Sequence, residues 1–554
     1  MRYMLRSTCG FEGCSETVLG PLASCELDRT IRGLDQKTLA QQAQALRPGH
    51  SCHIVLPPNY VAIKSVKGRK MYSGTNIHFP IEFDDGIKWV ARARLANAYR
   101  PPPDMRRMIT ESEVATMEVL KQGDVLVPKA WMPPLLDNEL LFQRNPGSDV
   151  TDYFFVEFIQ GSPLIKGHAT LTGGKIATDV VRTFITDLAQ HHQALSRIRL
   201  NVKGIGSLMP GQDPNGTPVL GPLVQGSLMM TPEPPYFCGP FMTNKERYLV
   251  HVDLALKYIH QQCILLRYPV ATFLAYLEMR ELIEENEEMG REETEFFIKH
   301  ADDKNDQYML RDDGHLVGVL DWEWAYTTTK TEAFCAPMGL FWSSEWAAGD
   351  NALTPEEQLL IDIHEAKGRP DLADCVRNGR VYQRLLDNMR DDDLFGPDLH
   401  RINALRDAFL GDKAGKPFGT IEEWKEYNMS KYGDDPRIAD IELWVKKRSE
   451  RRGAEMERIR VGEGPPMTKA SYTNSEAPPK GPPRDKDGKV LPRPKEPSNY
   501  TASVPEPQAK MEDADIRAPE SHPIDTAKGK GMCHIIGHIA RLEVMRSCRK
   551  EAGE

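Results

Sequence analysis

Two short apolar segments, each followed by a cluster of acidic residues, constrain the fold of this 554-residue chain more than any other feature. Residues 296–299 lead into a charged loop at 300–307 and then into a short apolar run at 308–310, and residues 316–320 end in an Asp-Trp-Glu-Trp sequence at 321–324. The intervening turn at 312–314 ends in glycine, which supplies the backbone conformation that tight turns need. The pattern therefore predicts a strand hairpin that delivers both acidic clusters to the same side.

Two acidic clusters in this arrangement fit phosphoryl transfer from a nucleotide. In that reaction one carboxylate orients the attacking hydroxyl or takes its proton, and another holds Mg²⁺ against the nucleotide phosphates. Little covalent work falls to the protein, so positioning and charge neutralisation dominate catalysis. The alternative is a solvated loop beside the core residues Trp322 and Trp324, and it requires the strands and both clusters to coincide by chance.

The loop residues His300, Asp302 and Gln307, with the later Asp-Trp-Glu-Trp sequence, resemble a known family. They are similar to the catalytic loop and metal-binding motif of aminoglycoside phosphotransferase and choline kinase-like proteins, especially the fungal proteins that carry this domain. The resemblance covers about residues 70–445. It implies an α+β, protein-kinase-like fold with two lobes, a small β-rich N-lobe and a large helical C-lobe.

The resemblance also implies roles for the residues of the loop. Asp302 would orient the acceptor hydroxyl or take its proton, and His300 belongs to the same motif. Lys304 matches the lysine of protein-kinase catalytic loops and would neutralise the transferred phosphoryl group. The implied activity is an ATP-dependent O-phosphotransferase that uses ATP and Mg²⁺ and acts on a small hydroxylated molecule.

The metal ligands that the resemblance implies are Gln307, Asp321 and Glu323. Gln307 stands where the family has asparagine, and its amide lies one methylene further from the backbone, so the ligand geometry must shift. This change leaves a second interpretation open, a kinase-fold binding protein with weak or absent catalysis. A protein kinase fits less well, because Asp-Trp-Glu-Trp stands in place of the Asp-Phe-Gly sequence of that family.

A β-rich segment is predicted before the helical region. Residues 77–83 and 88–93 flank an Asp-Asp-Gly turn, which is typical of a hairpin. A helix is predicted at 111–121, and an apolar strand at 152–159.

Arg92 ends the second strand of this hairpin and is predicted to pair with Glu113 and to hold the α- and β-phosphates of a nucleotide. Arginine keeps the charge of the lysine used in the wider superfamily but presents a planar fork. The Val-Ala-Ile-Lys sequence at 61–64 is a poorer match, because two prolines precede it and no glycine-rich loop does. The alternative places Arg92 on the surface beside Arg94.

Three further residues are predicted to contact the nucleotide. Gly74 lies in a short loop whose backbone amides would face phosphate. The resemblance implies that backbone groups near Glu157 and Ile159 pair with adenine at a hinge, after which Gly161 lets the chain cross between the lobes. The alternative is a buried strand without a ligand.

The body of the chain lies between two dissimilar ends. Residues 451–530 hold 13 of the 41 prolines and few aromatic residues, so they cannot bury enough apolar surface to offset their chain entropy. The disordered tail is suited to binding other proteins. Beyond it, helical spacing of apolar residues predicts a short amphipathic helix that docks on the body of the protein, with docking on a partner as the alternative. The predicted division is an N-terminal appendage at 1–60, an N-lobe at 61–165, a C-lobe at 166–450, a disordered tail at 451–530 and an amphipathic helix at 531–554.

The N-terminal appendage contains a spacing of thiols and an imidazole that resembles a worn zinc finger. Cys9, Cys14, His50 and Cys52 would supply the four ligands of a Zn²⁺ site, although the usual second Cys-x-x-Cys pair is missing. Free cysteines in a loose segment are the favoured alternative. Ten cysteines in the whole chain are too few for a disulfide framework.

The charge and hydropathy of the chain exclude several classes of protein. The net charge of −10 argues against general nucleic-acid binding. No uncharged apolar run approaches the roughly 18 residues that span a membrane. We expect a cytoplasmic protein, because the first ten residues lack the apolar core of a signal peptide. A mitochondrial presequence is the alternative, and the early Glu12 and Glu16 argue against it.

Overall fold

A computed structural model describes residues 27, 29–57, 76–95, 103–134, 151–164, 178–213, 216–225, 235–263, 266–303, 305–390 and 397–460 of the chain. Their architecture is α+β, as predicted, with small antiparallel sheets and a helical region that follows the largest sheet. None of the helices in these residues is both long enough and apolar enough to cross a membrane.

The strands of the described residues are β1 (Cys52–Ile54), β2 (Asn76–Phe83), β3 (Lys88–Arg94), β4 (Ala130–Trp131), β5 (Tyr153–Glu157), β6 (Ser162–Pro163), β7 (Ser207–Met209), β8 (Val219–Gly221), β9 (Phe297–Lys299), β10 (Tyr308–Leu310), β11 (Leu316–Val319) and β12 (Tyr326–Thr328).

The longer helices are α1 (Gln36–Leu46), α2 (Pro103–Gln122), α3 (Thr178–Arg197), α4 (Asn244–His260) and α5 (Pro269–Glu285). Shorter ones follow: α6 (Lys330–Phe334), α7 (Met338–Phe341), α8 (Ser344–Ala347), α9 (Pro355–Ala366), α10 (Pro370–Arg377), α11 (Arg380–Arg390), α12 (Leu399–Leu410) and α13 (Ile421–Tyr432), before the long α14 (Pro436–Arg460). Two 3₁₀ turns lie at Glu288–Gly290 and Gly411–Ala414.

The N-lobe sheet has the strand order β1-β2-β3-β5-β4. The predicted hairpin is confirmed: β2 and β3 are antiparallel with Ile81 opposite Trp89, and Gly86 in the turn has φ +86°. Alternate β2 side chains, from Ile77 to Phe83, point into the core, because successive side chains of a strand face opposite sides. Each buried side chain of this size contributes about 1.5–3 kcal/mol.

The N-terminal segment is more closely tied to this sheet than the predicted appendage implies. β1 pairs with β2 along three residues, and α1 buries Leu39 and Ala43 in the same core. The side chain of Asp35 caps α1 by accepting the Thr38 N–H at 2.8 Å. Residues 36–54 are therefore part of the N-lobe layer, and a boundary at residue 60 does not separate them from it. A three-residue strand is too short to show the alternation that would have predicted it.

Three threonines, each three residues before a glutamate, begin helices of the C-lobe. Thr354 makes a reciprocal capping box with Glu357 at the start of α9. Thr243 and Thr420 cap α4 and α13 by accepting the backbone N–H three residues on. In these two helices the glutamate carboxylate accepts the N–H of the residue before the threonine instead. Both arrangements satisfy backbone donors that the first turn leaves open.

The small C-lobe sheets connect the lobes and carry the loop region. β10 pairs with β11 and, on its other side, with β6, which follows the N-lobe strand β5. Gly161 precedes β6, and a Cβ there would lie 2.8 Å from the Leu310 carbonyl oxygen, so only glycine fits this crossing. Trp322 is fully buried behind the hairpin and donates its indole N–H to the Val319 carbonyl at 3.0 Å.

A second unit of the chain begins at Glu442, within α14. The predicted start of the disordered tail at residue 451 lies inside this helix, which continues to Arg460. Residues 451–460 are rich in charge and contain no proline, so they are compatible with a helix, and the prolines of the tail begin only after them. The rest of the predicted tail and the helix at 531–554 lie outside the described residues.

Buried histidines make the fold sensitive to acid. Burial, reinforced by the nearby Arg369, lowers the pKa of His364 to about 4, and burial lowers that of His191 to about 3. Their unfolded-state pKa is about 6.5, so below that pH the unfolded chain binds more protons than the folded one. Stability is therefore complete above pH 6.5 and falls as the pH drops toward 4.

We predict that each such histidine removes about 2 kcal/mol of the free energy of unfolding between pH 7.5 and pH 5. His364→Phe should flatten this dependence, because neither ring nitrogen of His364 has a hydrogen-bond partner in the described part of the chain. Urea denaturation at a series of pH values measures the slope. The exposed His53 supplies the control, and an equal flattening by His53→Gln would contradict the assignment to burial.

Candidate active site

The two acidic clusters meet at one end of the β10–β11 hairpin, as predicted. Tyr308 lies opposite Val319, and one residue further the Gln307 carbonyl accepts the Leu320 N–H at 2.9 Å. Asp321 follows Leu320 directly. The end of the charged loop and the start of the Asp-Trp-Glu-Trp sequence are therefore neighbours in space.

His300 ties the charged loop to the hairpin through both ring nitrogens. Its Nδ1 accepts the backbone N–H of Asp302 at 3.1 Å, so Nε2 must carry the proton that it donates to the Leu320 carbonyl at 2.8 Å. The imidazole also packs edge-on against Trp322, with ring centroids 4.7 Å apart. These contacts assign the neutral ring and set the position of Asp302 relative to Asp321.

Asp302 and Gln307 are in contact with each other. Asp302 is only 4% exposed, and its Oδ2 accepts a hydrogen bond from the Gln307 amide nitrogen at 3.2 Å. With its nitrogen directed to Asp302, the Gln307 side chain presents its carbonyl oxygen on the other branch of the amide. Lys304, the third predicted catalytic residue, lies outside the described residues.

The carboxylate next to Asp302 holds the loop to the helical region. Asp303 forms an ion pair with Lys299 at 3.2 Å and accepts the Met338 N–H at 3.4 Å. Burial alone would lower the pKa of Lys299, but Asp303 keeps it well above its usual value. A small cavity of about 30 Å³, room for about two water molecules, borders this pair. Its other walls include Tyr326, Cys335, Trp342, Tyr382 and Asp387.

Five charged side chains from three parts of the chain lie within ion-pair distance of one another. We call them the inter-lobe cluster: Arg92, Arg94, Glu113, Asp321 and Glu323. β3 supplies the two arginines, α2 the first glutamate, and the segment after β11 the last two carboxylates. All five side chains are buried or nearly so, with exposed fractions of 1–13%.

Glu113 is paired mainly with Arg94, whereas the sequence predicted Arg92. Its Oε2 lies 2.6 Å from Arg94 Nη2, and its Oε1 lies 3.5 Å from Arg92 Nη2. The Nη2 of Arg92 instead contacts the Asp321 carboxylate and approaches Glu323 at 3.2 Å. Arg92 is thus buried, unlike the surface position that was its alternative, and it points at Asp321 and Glu323 more than at α2.

Arg94 and Asn76 are functional candidates that the sequence interpretation missed. Arg94 uses all three guanidinium nitrogens, on Thr110, Asn76, Glu113 and Glu323. Asn76 lies opposite Arg94 in the sheet and donates to Glu323 at 2.8 Å. The sequence did contain a signal for Arg94. Residues two apart in a strand share a face, so Arg92 and Arg94 lie on one face of β3, and two buried arginines require nearby carboxylates.

The described part of the inter-lobe cluster brings two guanidinium groups to three carboxylates. Burial raises the pKa of Glu113 and outweighs the two arginines, which lower it, while Glu323 and Asp321 raise it further. The raised pKa of Glu113 favours its protonated form over a third buried negative charge. Burial, with the nearby Arg92, also lowers the pKa of His78 to about 4, so this imidazole is neutral near pH 7.

Of the three residues predicted to contact the nucleotide, the structure describes Glu157 and Ile159. Gly74 lies outside the described residues. The Glu157 N–H already donates to the Lys129 carbonyl at 2.9 Å within the sheet. Ile159 lies beside β11, where a Cβ on Gly318 would meet its Cγ2 at 3.2 Å. The hinge segment therefore reaches the hairpin that carries Asp321.

The proposed zinc ligands that the structure describes have other partners. His50 Nδ1 lies 2.8 Å from an Asp84 carboxylate oxygen, and the Cys52 thiol donates to the Ala40 carbonyl at 3.6 Å. Cys9 and Cys14 lie outside the described residues.

Comparison with known proteins gives structural likeness without sequence matches. No family model and no curated protein matches the chain. A thermostable mutant of aminoglycoside phosphotransferase APH(4)-Ia is 14% identical, with 69% of this chain and 100% of that chain covered and a TM-score of 0.36. ADP-bound aminoglycoside phosphotransferase APH(2'')-Ib is 11% identical, with 69% and 98% covered and a TM-score of 0.36.

An ethanolamine kinase from Plasmodium vivax is 14% identical, with 70% of this chain and 90% of that chain covered and a TM-score of 0.35. These names agree with the family that the sequence motifs resemble. Because each TM-score is below 0.5, the functional proposal rests on the contacts of this chain alone.

We predict that Arg94→Met lowers the free energy of unfolding by about 3–5 kcal/mol, because it leaves two buried carboxylates without their main partner. Arg107→Met is the matched control, since Arg107 also pairs with a glutamate of α2 but is 46% exposed. Its effect should stay within about 0.5 kcal/mol. Chemical denaturation compares the two variants, and equal losses would show that the inter-lobe cluster is not stabilising.

Proposed function

We propose that the protein is an ATP-dependent O-phosphotransferase that acts on a small hydroxylated molecule. One observation carries this proposal: Asp302 and Asp321 reach the same end of one hairpin, and Arg92 from the N-lobe sheet contacts Asp321 there. Phosphoryl transfer needs a carboxylate at the acceptor hydroxyl, a second at a divalent metal and a cation at the phosphates. The three residue types are present and adjacent.

The side chains at the end of the hairpin fit a magnesium ion. Asp302, Gln307 and Asp321 offer carboxylate and amide oxygens, which are the donors that Mg²⁺ prefers. Gln307 and Asp321 would hold the ion, which when bound would supply positive charge that neutralises the nucleotide phosphates.

Residues of the protein would carry out proton transfer and hold the phosphates. Asp302 would accept a hydrogen bond from the acceptor hydroxyl and take its proton as the new oxygen–phosphorus bond forms and the bond from the γ-phosphorus to the departing ADP oxygen breaks. His300 holds the backbone of Asp302 in place through its two ring nitrogens. Arg92 would contact the α- and β-phosphates, for which its planar fork is suited. Burial of Asp302 and the inter-lobe cluster keeps water from competing with these contacts.

The pair Lys299–Asp303 would keep the loop fixed while the acceptor binds. It anchors the residue after Asp302 to the region of α6 and α7. We therefore place the acceptor side of the site on the C-lobe face of Asp302. The predicted nucleotide contacts of Gly74, Glu157 and Ile159 and the phosphate contact of Lys304 remain part of this proposal.

We predict that Asp302→Asn abolishes phosphoryl transfer, with a loss of at least about a hundredfold in kcat, while leaving ATP affinity within about threefold of the unchanged protein. A screen of hydroxylated metabolites with radiolabelled ATP identifies an acceptor, and the variant is its blank. Asp312→Asn, in the exposed turn of the same hairpin, is the matched control and should keep full activity. Transfer that persists in Asp302→Asn would refute the role of this carboxylate.

A kinase-fold binding protein without catalysis is the second candidate. The observation that favours it is the Gln307 amide bound to Asp302, at the position where the family has asparagine. The phosphotransferase must bind ATP and Mg²⁺, whereas a binding protein need not, so nucleotide binding separates the two functions.

We predict that ATP with Mg²⁺ raises the thermal midpoint of the unchanged protein by a few degrees, because a ligand at 100 times its Kd stabilises by about 2.7 kcal/mol. Arg92→Met should lose most of this rise, since it removes the cation at the phosphates. Lys88→Met, near the start of the same strand and exposed, is the control. A protein that gains no stability from ATP and Mg²⁺ would contradict the phosphotransferase and favour the binding protein.

A further inference from the structure

We propose that Glu323 is a brace between the two lobes and not a magnesium ligand, and that Arg94 and Asn76 are its partners. The metal half of this proposal rests on the proposed function, whereas the brace does not. The two acidic residues of the Asp-Trp-Glu-Trp sequence would then have separate tasks, one at the metal and one between the lobes.

Both carboxylate oxygens of Glu323 are bound by donors of the N-lobe. Oε1 lies 2.5 Å from Arg94 Nη1. Oε2 accepts from the Asn76 amide at 2.8 Å and from Arg92 Nη2 at 3.2 Å. The side chain is 7% exposed, so water cannot replace these donors if they are lost. A metal ion at Glu323 would have to displace them and take from the buried Arg94 one of its two carboxylate partners.

Arg94 has no freedom to follow such a displacement. Its Nε donates to Thr110 at 3.3 Å, and its Nη2 is bound to Glu113 at 2.6 Å. The remaining Nη1 serves Asn76 and Glu323. A guanidinium bound through all three nitrogens has one orientation, so the position of Glu323 is determined by α2 and β2 through Arg94.

The backbone around Glu323 shows why a brace is needed. Asp321 and Trp324 both have positive φ, +64° and +67°, a conformation that costs free energy in residues other than glycine. Between them the Trp322 indole is locked by its hydrogen bond to Val319. Glu323 holds the strained segment against the N-lobe. This contact sets the direction in which Asp321 presents its carboxylate.

The brace also explains why β3 carries two arginines. Arg94 takes the place beside Glu113 and closes the contact between the lobes. Arg92, two residues earlier on the same face, reaches Asp321 through its Nη2. One arginine is therefore structural, and the other is left to contact phosphate. Arg94 and Glu323 are positioning residues in this account, because neither touches a reacting atom.

Metal affinity separates a brace from a ligand. With Mn²⁺ as the probe and ADP present, paramagnetic resonance or calorimetry gives the Mn²⁺ affinity of each variant. We expect Asp321→Asn to bind Mn²⁺ at least about tenfold more weakly, since it loses a ligand charge. Glu323→Gln should stay within about threefold of the unchanged protein in Mn²⁺ affinity while its kcat falls. A loss for Glu323→Gln as large as that for Asp321→Asn would overturn the proposal.

Thermal unfolding tests the brace without any ligand. Glu323→Gln and Arg94→Met should lower the midpoint non-additively, because each removes the same contact. Glu323→Gln and Arg107→Met should be additive. If the double variants do not fold, Asn76→Ala replaces Arg94→Met, since it removes only hydrogen bonds.

The metal-affinity experiment and the unfolding experiment separate failure of the proposed function from failure of the brace. Absence of Mn²⁺ and ADP binding in the unchanged protein refutes the proposed function, and the unfolding cycle then still decides whether the brace exists. Additive effects for Glu323 with both Arg94 and Asn76 would refute the brace whatever the metal result.

Discussion

The buried ion cluster between β3, α2 and the segment after β11 is the interaction on which the rest of the structure depends. Charged side chains are costly to remove from water unless each finds an opposite charge with good geometry. Here Arg92 and Arg94 find Asp321 and Glu323, two of their three carboxylates, only when the C-lobe hairpin is in place. The lobes therefore meet in one register, and the site at their junction is assembled by the same contacts that stabilise the fold.

The junction is held from the C-lobe side by a chain of short contacts. His300 joins the charged loop to Leu320, and Trp322 is bound to Val319 behind it. Asp303 fixes the other end of the loop to Lys299. The carboxylates of Asp302 and Asp321 thus have defined positions before any ligand arrives. Pre-organisation of this kind is what a reaction governed by positioning and charge requires.

Local patterns predicted much of the fold and part of the site. The β2–β3 hairpin and the starts of α4, α9 and α13 follow from turn and capping residues close together in sequence. The pairing of Glu113 did not, because strand periodicity places Arg92 and Arg94 on the same face and cannot choose between them. Asn76 and Glu323 are 247 residues apart, so only the tertiary fold shows their contact. The three-residue β1 carried too little pattern to be recognised.

We propose that nucleotide binding at the end of the β10–β11 hairpin depends on a metal ion, because the nucleotide phosphates would otherwise face the carboxylates of Asp302 and Asp321. Calorimetric titration of the whole protein with ADP, in the presence of Mg²⁺ and then of a chelator, tests this dependence most directly. The ion would offset the repulsion between phosphates and carboxylates, so Mg²⁺ should strengthen ADP binding by at least about tenfold. ADP binding of equal affinity in the chelator, or no binding in either condition, would contradict the account.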